Sequence, residues 1–91
     1  LNGLKTNTQK GCSYDGKYYA KREKVKGEEG LYVLTVYLAE DDSRVIELHP
    51  SNQKFTKFSW LDDQYKIYIY TGDTIVEAFY FTGREWRKAS V

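Results

Sequence analysis

The sequence has little of what most catalytic and metal sites require. Cys12 is its only cysteine and His49 its only histidine. A single cysteine allows neither an internal disulfide nor a zinc or iron–sulfur site built from thiolates. A serine or cysteine triad would need His49 to meet a nucleophile and an acid that no motif brings together. No glycine-rich phosphate loop, metal-binding histidine pair or nucleotide fingerprint occurs either. We therefore expect a chain that is not an enzyme and that holds no metal or cofactor.

Long apolar runs and helical periodicity are also missing. No run of about 18 apolar residues occurs, so we expect no membrane-spanning segment. The N-terminus carries no signal-peptide stretch, and the start at Leu1 without methionine leads us to expect a processed product and to favour a secreted or extracellular location. Apolar residues nowhere recur at three-to-four spacing for more than a turn or so, so helices are not expected.

The sequence does contain short apolar runs, rich in β-branched and aromatic residues and separated by turn residues. Its 91 residues are enough for only one hydrophobic core. These features predict a single all-β domain over residues 1–91, an antiparallel meander of about eight short strands. Such a meander closes as a small barrel or forms a two-blade propeller-like unit. The expected strands cover roughly residues 4–13, 17–25, 31–39, 44–49, 54–61, 65–71, 74–82 and 85–91.

Two pairs of residues predict tight hairpin turns. Asp15-Gly16 is typical of a two-residue turn in which both residues take positive φ. Gly72-Asp73 is typical of the related turn that begins with glycine. Each pair separates two predicted strands, so we expect the strands on either side to pair antiparallel.

Side-chain alternation predicts which strand faces are buried. Residues 66–70 alternate isoleucine with lysine or tyrosine, so we expect the isoleucines in the core and the tyrosines outside. Residues 31–38 are apolar on both faces, which predicts a central strand that is covered on both sides. Residues 17–25 are rich in lysine and arginine, which is typical of an edge strand.

Aromatic side chains are the most informative feature. Nine tyrosines, four phenylalanines and two tryptophans are more rings than a core of this size needs. Exposed rings can stack on the apolar face of a sugar while carboxylate, amide or guanidinium groups bind its hydroxyls. They can also serve only as cross-strand pairs that stabilise the sheet. Alternation places several rings on a predicted outer face: Tyr68, Tyr70, Tyr80, Trp60 and Trp86. The leading hypothesis is therefore a non-catalytic carbohydrate-binding module.

A short internal repeat adds two glutamates to this hypothesis. Two segments share the order strand, acidic turn and strand bearing one glutamate; they are residues 34–48 and 67–78. The repeat places Glu47 and Glu77 at matching positions, where their carboxylates could accept hydrogen bonds from a ligand. A genuine repeat of this kind would also favour a homo-oligomer.

Part of the chain resembles one blade of the fucose-binding propeller lectins. The segments that carry the resemblance are Ser59-Trp60-Leu61, Ile67-Tyr68-Ile69-Tyr70, Ile75-Val76-Glu77 and Tyr80-Phe81-Thr82-Gly83-Arg84-Glu85-Trp86. The resemblance implies that Glu77 accepts hydrogen bonds from sugar hydroxyls and that Trp86 or Phe81 stacks on the sugar. It also implies a chain of two blades that assembles as an oligomer.

The first copy of the repeat resembles the same blade more loosely. There the resemblance implies that Glu47 and Phe55 take the roles of the glutamate and the stacking ring. The sugar-binding arginine of the family falls on Tyr68 in one copy and on Thr35 in the other, so that contact is missing. The predicted ligand-binding residues are Trp60, Tyr68, Tyr70, Glu77, Tyr80, Trp86 and Glu47.

Two other classes of binding function stay open. Residues 1–27 carry a net charge of +5 and residues 28–50 one of −5, a dipolar pattern that favours docking on a protein, as in an inhibitor, an immunity protein or a secreted effector. An OB-like barrel could instead bind single-stranded nucleic acid. Its backbone contacts would be Lys17, Lys21, Arg22, Lys24 and Lys26. The net charge of +1 disfavours nucleic acid, so we expect a glycan or a protein as the partner.

Overall fold

The computed structural model describes residues 11–90, which form seven β-strands and no helix. The strands are β1 (Tyr18–Lys24), β2 (Tyr32–Leu38), β3 (Arg44–Leu48), β4 (Lys57–Trp60), β5 (Lys66–Thr71), β6 (Thr74–Phe81) and β7 (Trp86–Ser90). β1 to β3 form a three-stranded antiparallel sheet and β4 to β7 a four-stranded one, each in sequence order. The predicted all-β antiparallel meander is confirmed. Among the described residues, no helix could span a membrane.

The strands do not close into a barrel. In the described part of the chain they form two separate sheets, so the barrel alternative is wrong and the arrangement agrees with two consecutive meander units. The expected strand at residues 4–13 lies almost entirely outside the described residues. Its last part pairs along β1, because Cys12 forms an antiparallel bridge with Tyr19 and Ala20 N donates to Gly11 O at 2.9 Å.

One hydrophobic core lies between the two sheets. β2 contributes Leu34 and Val36, β5 contributes Ile67 and Ile69, and all four are fully buried. Phe55, from the segment that connects the sheets, is fully buried in the same core. Burial of each such side chain stabilises the fold by about 1.5–3 kcal/mol. The predicted alternation of β5, with isoleucines inside and tyrosines outside, is confirmed.

β2 is the central strand of its sheet, as its sequence predicts. Val33 and Thr35 point away from the core and are nevertheless buried. On this outer face Val33 pairs with Glu23 on β1, and Thr35 pairs with Lys21 on β1 and Glu47 on β3. Long polar side chains of the neighbouring strands therefore flank the apolar and hydroxyl groups of β2 on its outer side.

The two predicted hairpin turns have different outcomes. Gly72 has a φ of 63° and Asp73 stays outside the left-handed region, as the glycine-first turn requires. Gly16 has a φ of 77°, but Asp15 does not take positive φ, so the two-residue turn expected there is wrong. Gly16 N instead donates to Ser13 O at 3.0 Å, which closes a four-residue turn.

The Asp15 carboxylate stabilises this turn and joins it to the other sheet. Oδ1 accepts hydrogen bonds from Ser13 Oγ at 2.9 Å and from Lys17 N at 3.0 Å. Oδ2 accepts a third from the Tyr65 hydroxyl at 2.5 Å, next to the start of β5. Partial burial acts to raise the pKa of Asp15, but the bonds from Tyr65, Lys17 and Ser13 outweigh it and lower that pKa below its ordinary 3.8. The same contact raises the pKa of Tyr65.

Asp15 should make the folded state sensitive to acid. A carboxyl whose pKa is lowered by folding stabilises the protein above its unfolded pKa, and this stabilisation is lost as the pH falls through the folded-state pKa. Tyr65→Phe removes one of the three bonds. We expect it to lower the free energy of unfolding by about 0.5–1 kcal/mol at neutral pH, and to make that free energy depend less on pH below the ordinary aspartate pKa of 3.8.

Urea denaturation at a series of pH values measures both effects. Tyr14→Phe is the matched control, because the Tyr14 ring packs against Tyr65 with centroids 5.3 Å apart but the substitution leaves the Tyr65 bond to Asp15 in place. If Tyr65→Phe and the unchanged protein lose stability in parallel as the pH falls, Asp15 is not the group responsible.

Candidate functional site

The outer face of the four-stranded sheet carries three tyrosines. Tyr68 and Tyr70 alternate along β5 with two buried isoleucines, so their rings lie on the side away from the core. Tyr80 on β6 pairs with Lys66 and shares this outer side. All three rings are partly exposed. We call Tyr68, Tyr70 and Tyr80 the tyrosine face. The outward direction that alternation predicts for them is confirmed.

Small side chains form the floor of the tyrosine face. Ala78 on β6 pairs with Tyr68 on one side and with Ala89 of β7 on the other. Ala78 is buried, at 1% exposure, beneath the surface that these strands present. Small side chains therefore lie beneath the rings, with Ala78 covered and Ala89 partly exposed.

Two lysines lie over the rings of the tyrosine face. Lys66 Nζ lies 5.5 Å from the centroid of the Tyr68 ring, and Lys57 Nζ lies 5.0 Å from that of Tyr70. The hydroxyl of Tyr70 also lies 3.1 Å from Ser59 Oγ. A cation–π contact at an exposed site is worth about 0.5–1 kcal/mol, so a ligand can displace either ammonium from its ring at small cost.

Acidic residues in the turns balance part of this positive charge. Lys57 Nζ forms an ion pair of 3.2 Å with Asp73 in the β5–β6 turn. Arg87, which pairs with Tyr80 across β6 and β7, forms an ion pair with Glu85 in the β6–β7 turn. These pairs are exposed and contribute little to stability, but they keep the net charge around the tyrosine face low.

Trp60 and Trp86 lie on the core side of the sheet, so the expectation that they face outward is wrong. Trp60 pairs with the buried Ile67 and is 3% exposed. Its Nε1 donates to the Gly11 carbonyl at 2.6 Å, so the one polar group of the indole is satisfied inside the protein. Trp86 packs edge-on against Trp60, with ring centroids 6.0 Å apart. Both indoles belong to the packing between the sheets.

Glu77 also faces the core side. It is 8% exposed and pairs with Ile69 of β5. Its Oε1 accepts a hydrogen bond from Ser51 N at 2.9 Å, and Ser51 belongs to the segment that connects β3 to β4. The carboxylate therefore anchors this connection between the sheets. A ligand on the tyrosine face would lie on the other side of the sheet from Glu77.

Both sheets contain a β-bulge at the same place in their pairing pattern. The pairing shifts by one residue after Val36 in β2 and after Ile69 in β5. The unpaired residues opposite these shifts are Val45 and Val76, which are exposed at 41% and 39%. A bulge leaves one residue outside the ladder and changes the direction of the strand. The two sheets therefore repeat one pairing pattern.

The bulges show that the two predicted glutamates do not correspond. Glu77 pairs with Ile69 and faces the core, in the place that Ile46 holds in the three-stranded sheet. Glu47 comes one residue later and pairs with Thr35 on the outer face. Because successive side chains of a strand point to opposite faces, this offset puts the two carboxylates on different sides of their sheets. The expectation that Glu47 and Glu77 occupy matching positions is wrong.

A polar depression of about 300 Å³ lies on the outer face of the three-stranded sheet. Val33 of β2 lines it between two acids, Glu23 of β1 and Glu47 of β3. The basic and amide side chains that line it are Lys24, Lys26, Arg44, His49 and Gln53. We call this the polar depression. Glu47 is the one predicted ligand-binding residue that lines it. The strand register brings the other lining residues together, and the sequence pattern does not show that register.

Neighbouring side chains hold both glutamates of the polar depression in place. Glu23 Oε2 accepts a hydrogen bond from the Tyr37 hydroxyl at 2.7 Å. Glu47 Oε1 lies 3.6 Å from Arg44 Nη1, and its Oε2 lies 3.1 Å from His49 Nε2. Each carboxylate is therefore oriented on the outer face before any ligand arrives.

Thr35 is a fully buried hydroxyl next to these acids. Its Oγ1 makes no hydrogen bond of ordinary geometry within residues 11–90. Partial burial acts to raise the pKa of Glu23, but the hydroxyls of Thr35 and Tyr37 and the charges of Arg44 and Lys21 outweigh it and lower that pKa. Glu23 is therefore ionised at neutral pH.

Glu77→Ala should destabilise the fold, because it leaves Ser51 N without its acceptor. We expect a loss of about 1–3 kcal/mol in the free energy of unfolding, and a smaller loss for Glu77→Gln, which keeps a carbonyl oxygen. Chemical denaturation measures both. Glu47→Ala is the control, since an exposed acid at a surface ion pair changes stability by about 0.5 kcal/mol or less. Equal stability of Glu77→Ala and the unchanged protein would contradict the anchoring role.

Among residues 11–90, no group of three or more histidine, cysteine, aspartate or glutamate side chains is placed to hold a metal ion. No protein-family model matches the chain, and no curated protein or solved structure matches it either. The function therefore has to be inferred from the geometry of the two outer faces, and the resemblance to fucose-binding lectins rests on the residues quoted for it.

Proposed function

We propose that this protein is a non-catalytic binding module that binds a glycan on the tyrosine face. The observation that carries the proposal is the set of three partly exposed tyrosines on one outer sheet face. A sugar ring stacks on an aromatic ring that solvent can reach, and the small side chains between these strands do not project toward the ligand.

The tyrosines of the other outer face are less suited to this role. Tyr19 and Tyr37 stack on each other, with ring centroids 5.1 Å apart and planes at 14°. Their hydroxyls are also engaged, since Tyr19 donates to Asp42 and Tyr37 to Glu23. No such ring–ring stacking joins the three rings of the tyrosine face in the described chain, and lysines lie over two of them.

Polar groups around the tyrosine face can bind sugar hydroxyls. Lys66 and Arg87 supply N–H donors, and the hydroxyls of Ser59 and the tyrosines can donate or accept. Because the three rings lie along an outer sheet face on neighbouring strands, the face suits several consecutive sugars of a chain better than one enclosed sugar. A glycan chain of this kind gains affinity from a few stacking contacts that add along the chain.

The charge around the tyrosine face favours a glycan over single-stranded nucleic acid. Nucleic-acid affinity depends on lysine and arginine side chains that neutralise phosphates. On this face Lys57 and Arg87 already pair with Asp73 and Glu85, which leaves Lys66 as the cation without an ion pair among the described residues. A single lysine without an ion pair neutralises few phosphates, so this face would bind a polyanion weakly.

A glycan array with free competing sugar tests the proposal. We expect specific, competable binding, and we expect Tyr68→Ala and Tyr80→Ala each to weaken it by about 2- to 10-fold. The double variant should fall below detection on the array. Tyr19→Ala is the matched control, because it removes a partly exposed tyrosine from the opposite outer face and should leave binding unchanged.

Thermal melting of each variant separates lost binding from lost folding. A blank array, or binding that survives the double substitution in a folded protein, would contradict the tyrosine face as a glycan site. In that case the rings would be structural or would face a protein partner, and a search for a binding protein would follow.

A further inference from the structure

We infer that the polar depression is a second ligand site, and that it binds a small polyhydroxylated carboxylate of the uronic acid class. This inference is independent of the proposed function, because the polar depression uses no residue of the tyrosine face. The two sites lie on the outer faces of different sheets, with the hydrophobic core between them. Their ligands can therefore be tested separately.

The size of the polar depression fits one small ligand. Its volume of about 300 Å³ is at the lower end of the range found for small-molecule sites. Val33 and Val25 supply apolar surface that can contact the C–H groups of a sugar ring. The concave shape distinguishes this site from the tyrosine face, which suits a chain of sugars.

The charges of the polar depression favour an anion. Lys24, Lys26 and Arg44 give three positive charges against the two negative charges of Glu23 and Glu47. Neither lysine forms an ion pair in the described part of the chain, and Arg44 Nη1 is 3.6 Å from its nearest carboxylate oxygen. A ligand with one carboxylate can bind these cations and leave the site neutral.

The same site can bind hydroxyl groups. Glu23 accepts one hydrogen bond at Oε2, from the Tyr37 hydroxyl, and keeps lone pairs on Oε1 for a ligand hydroxyl. Glu47 is oriented by Arg44 and His49 and keeps lone pairs of its own. Two oriented carboxylates beside three cations match a ligand that carries both hydroxyls and a carboxylate.

Titration with three small molecules, followed by ¹H–¹⁵N NMR, tests the inference. We expect glucuronate to shift the amide signals of Lys24, Val33 and Glu47 with a Kd of about 1 mM or tighter. Glucose has the hydroxyls without the carboxylate, and acetate has the carboxylate without the hydroxyls. Both should bind at least about tenfold more weakly than glucuronate.

Substitutions show which side chains bind the carboxylate of the ligand and which bind its hydroxyls. The double variant Lys24→Gln, Lys26→Gln should bind glucuronate at least about tenfold more weakly, because it removes the cations that meet the carboxylate. Glu47→Gln should weaken glucuronate but not acetate, because it changes a hydroxyl acceptor. Lys88→Gln, an exchange of the same kind at an exposed residue of β7 outside both proposed sites, is the matched control and should change neither.

Each contrary result overturns the inference in a recognisable way. Equal binding of acetate and glucuronate would reduce the site to a general anion patch, and equal binding of glucose would remove the role of the cations. Unchanged affinity in the double lysine variant would place the ligand elsewhere. Signals that move only at Tyr68, Tyr70 and Tyr80 would reject the polar depression and leave the tyrosine face intact. Glycan binding that survives the tyrosine substitutions, with glucuronate binding retained, would do the reverse.

Discussion

The placement of both outer faces depends on how the segment between β3 and β4 is anchored. This segment carries Phe55 into the core, where the ring is fully buried. Its backbone is held from both sheets, since Tyr32 N donates to Gln53 O, Arg22 Nε donates to Phe55 O, and Ser51 N donates to Glu77. Together with the contact between Asp15 and Tyr65 near the start of β1, these bonds fix one sheet against the other. Core packing supplies most of the stability, and the polar bonds select one relative position of the sheets.

The sequence predicts those parts of the fold that depend on local pattern. The alternation along residues 66–70 is visible in the sequence because one face of β5 is core and the other is solvent. The turn at Gly72 follows from its freedom to adopt positive φ, which no other residue type has at so small a cost. The turn at Asp15 was harder to predict. Its carboxylate forms local hydrogen bonds and a distant one to Tyr65, and these favour a different backbone conformation. The local sequence around Asp15 does not reveal its contact with Tyr65.

The candidate site residues were less predictable because faces depend on register. Both sheets contain the same bulge, and an offset of one residue relative to it moves a side chain to the opposite face. The glutamates look equivalent in the sequence, but their distance from the bulge differs by one residue, so one anchors a connection and the other points to solvent. The indoles were misplaced for another reason. An indole is mostly apolar, and Trp60 satisfies its single N–H on the Gly11 carbonyl, so burial costs it no hydrogen bond.

The bulges also explain how one pairing pattern produces two different surfaces. With the sheets aligned on their bulges, Thr35 and Glu47 form the outer-face pair of the three-stranded sheet where Tyr68 and Ala78 form that of the four-stranded sheet. The small Thr35 side chain is fully buried there, and the Glu47 carboxylate opposite it lines the polar depression. In the four-stranded sheet a large, partly exposed ring lies opposite a buried methyl group. The difference in size and polarity at one cross-strand pair therefore contributes to the different surfaces of the two outer faces.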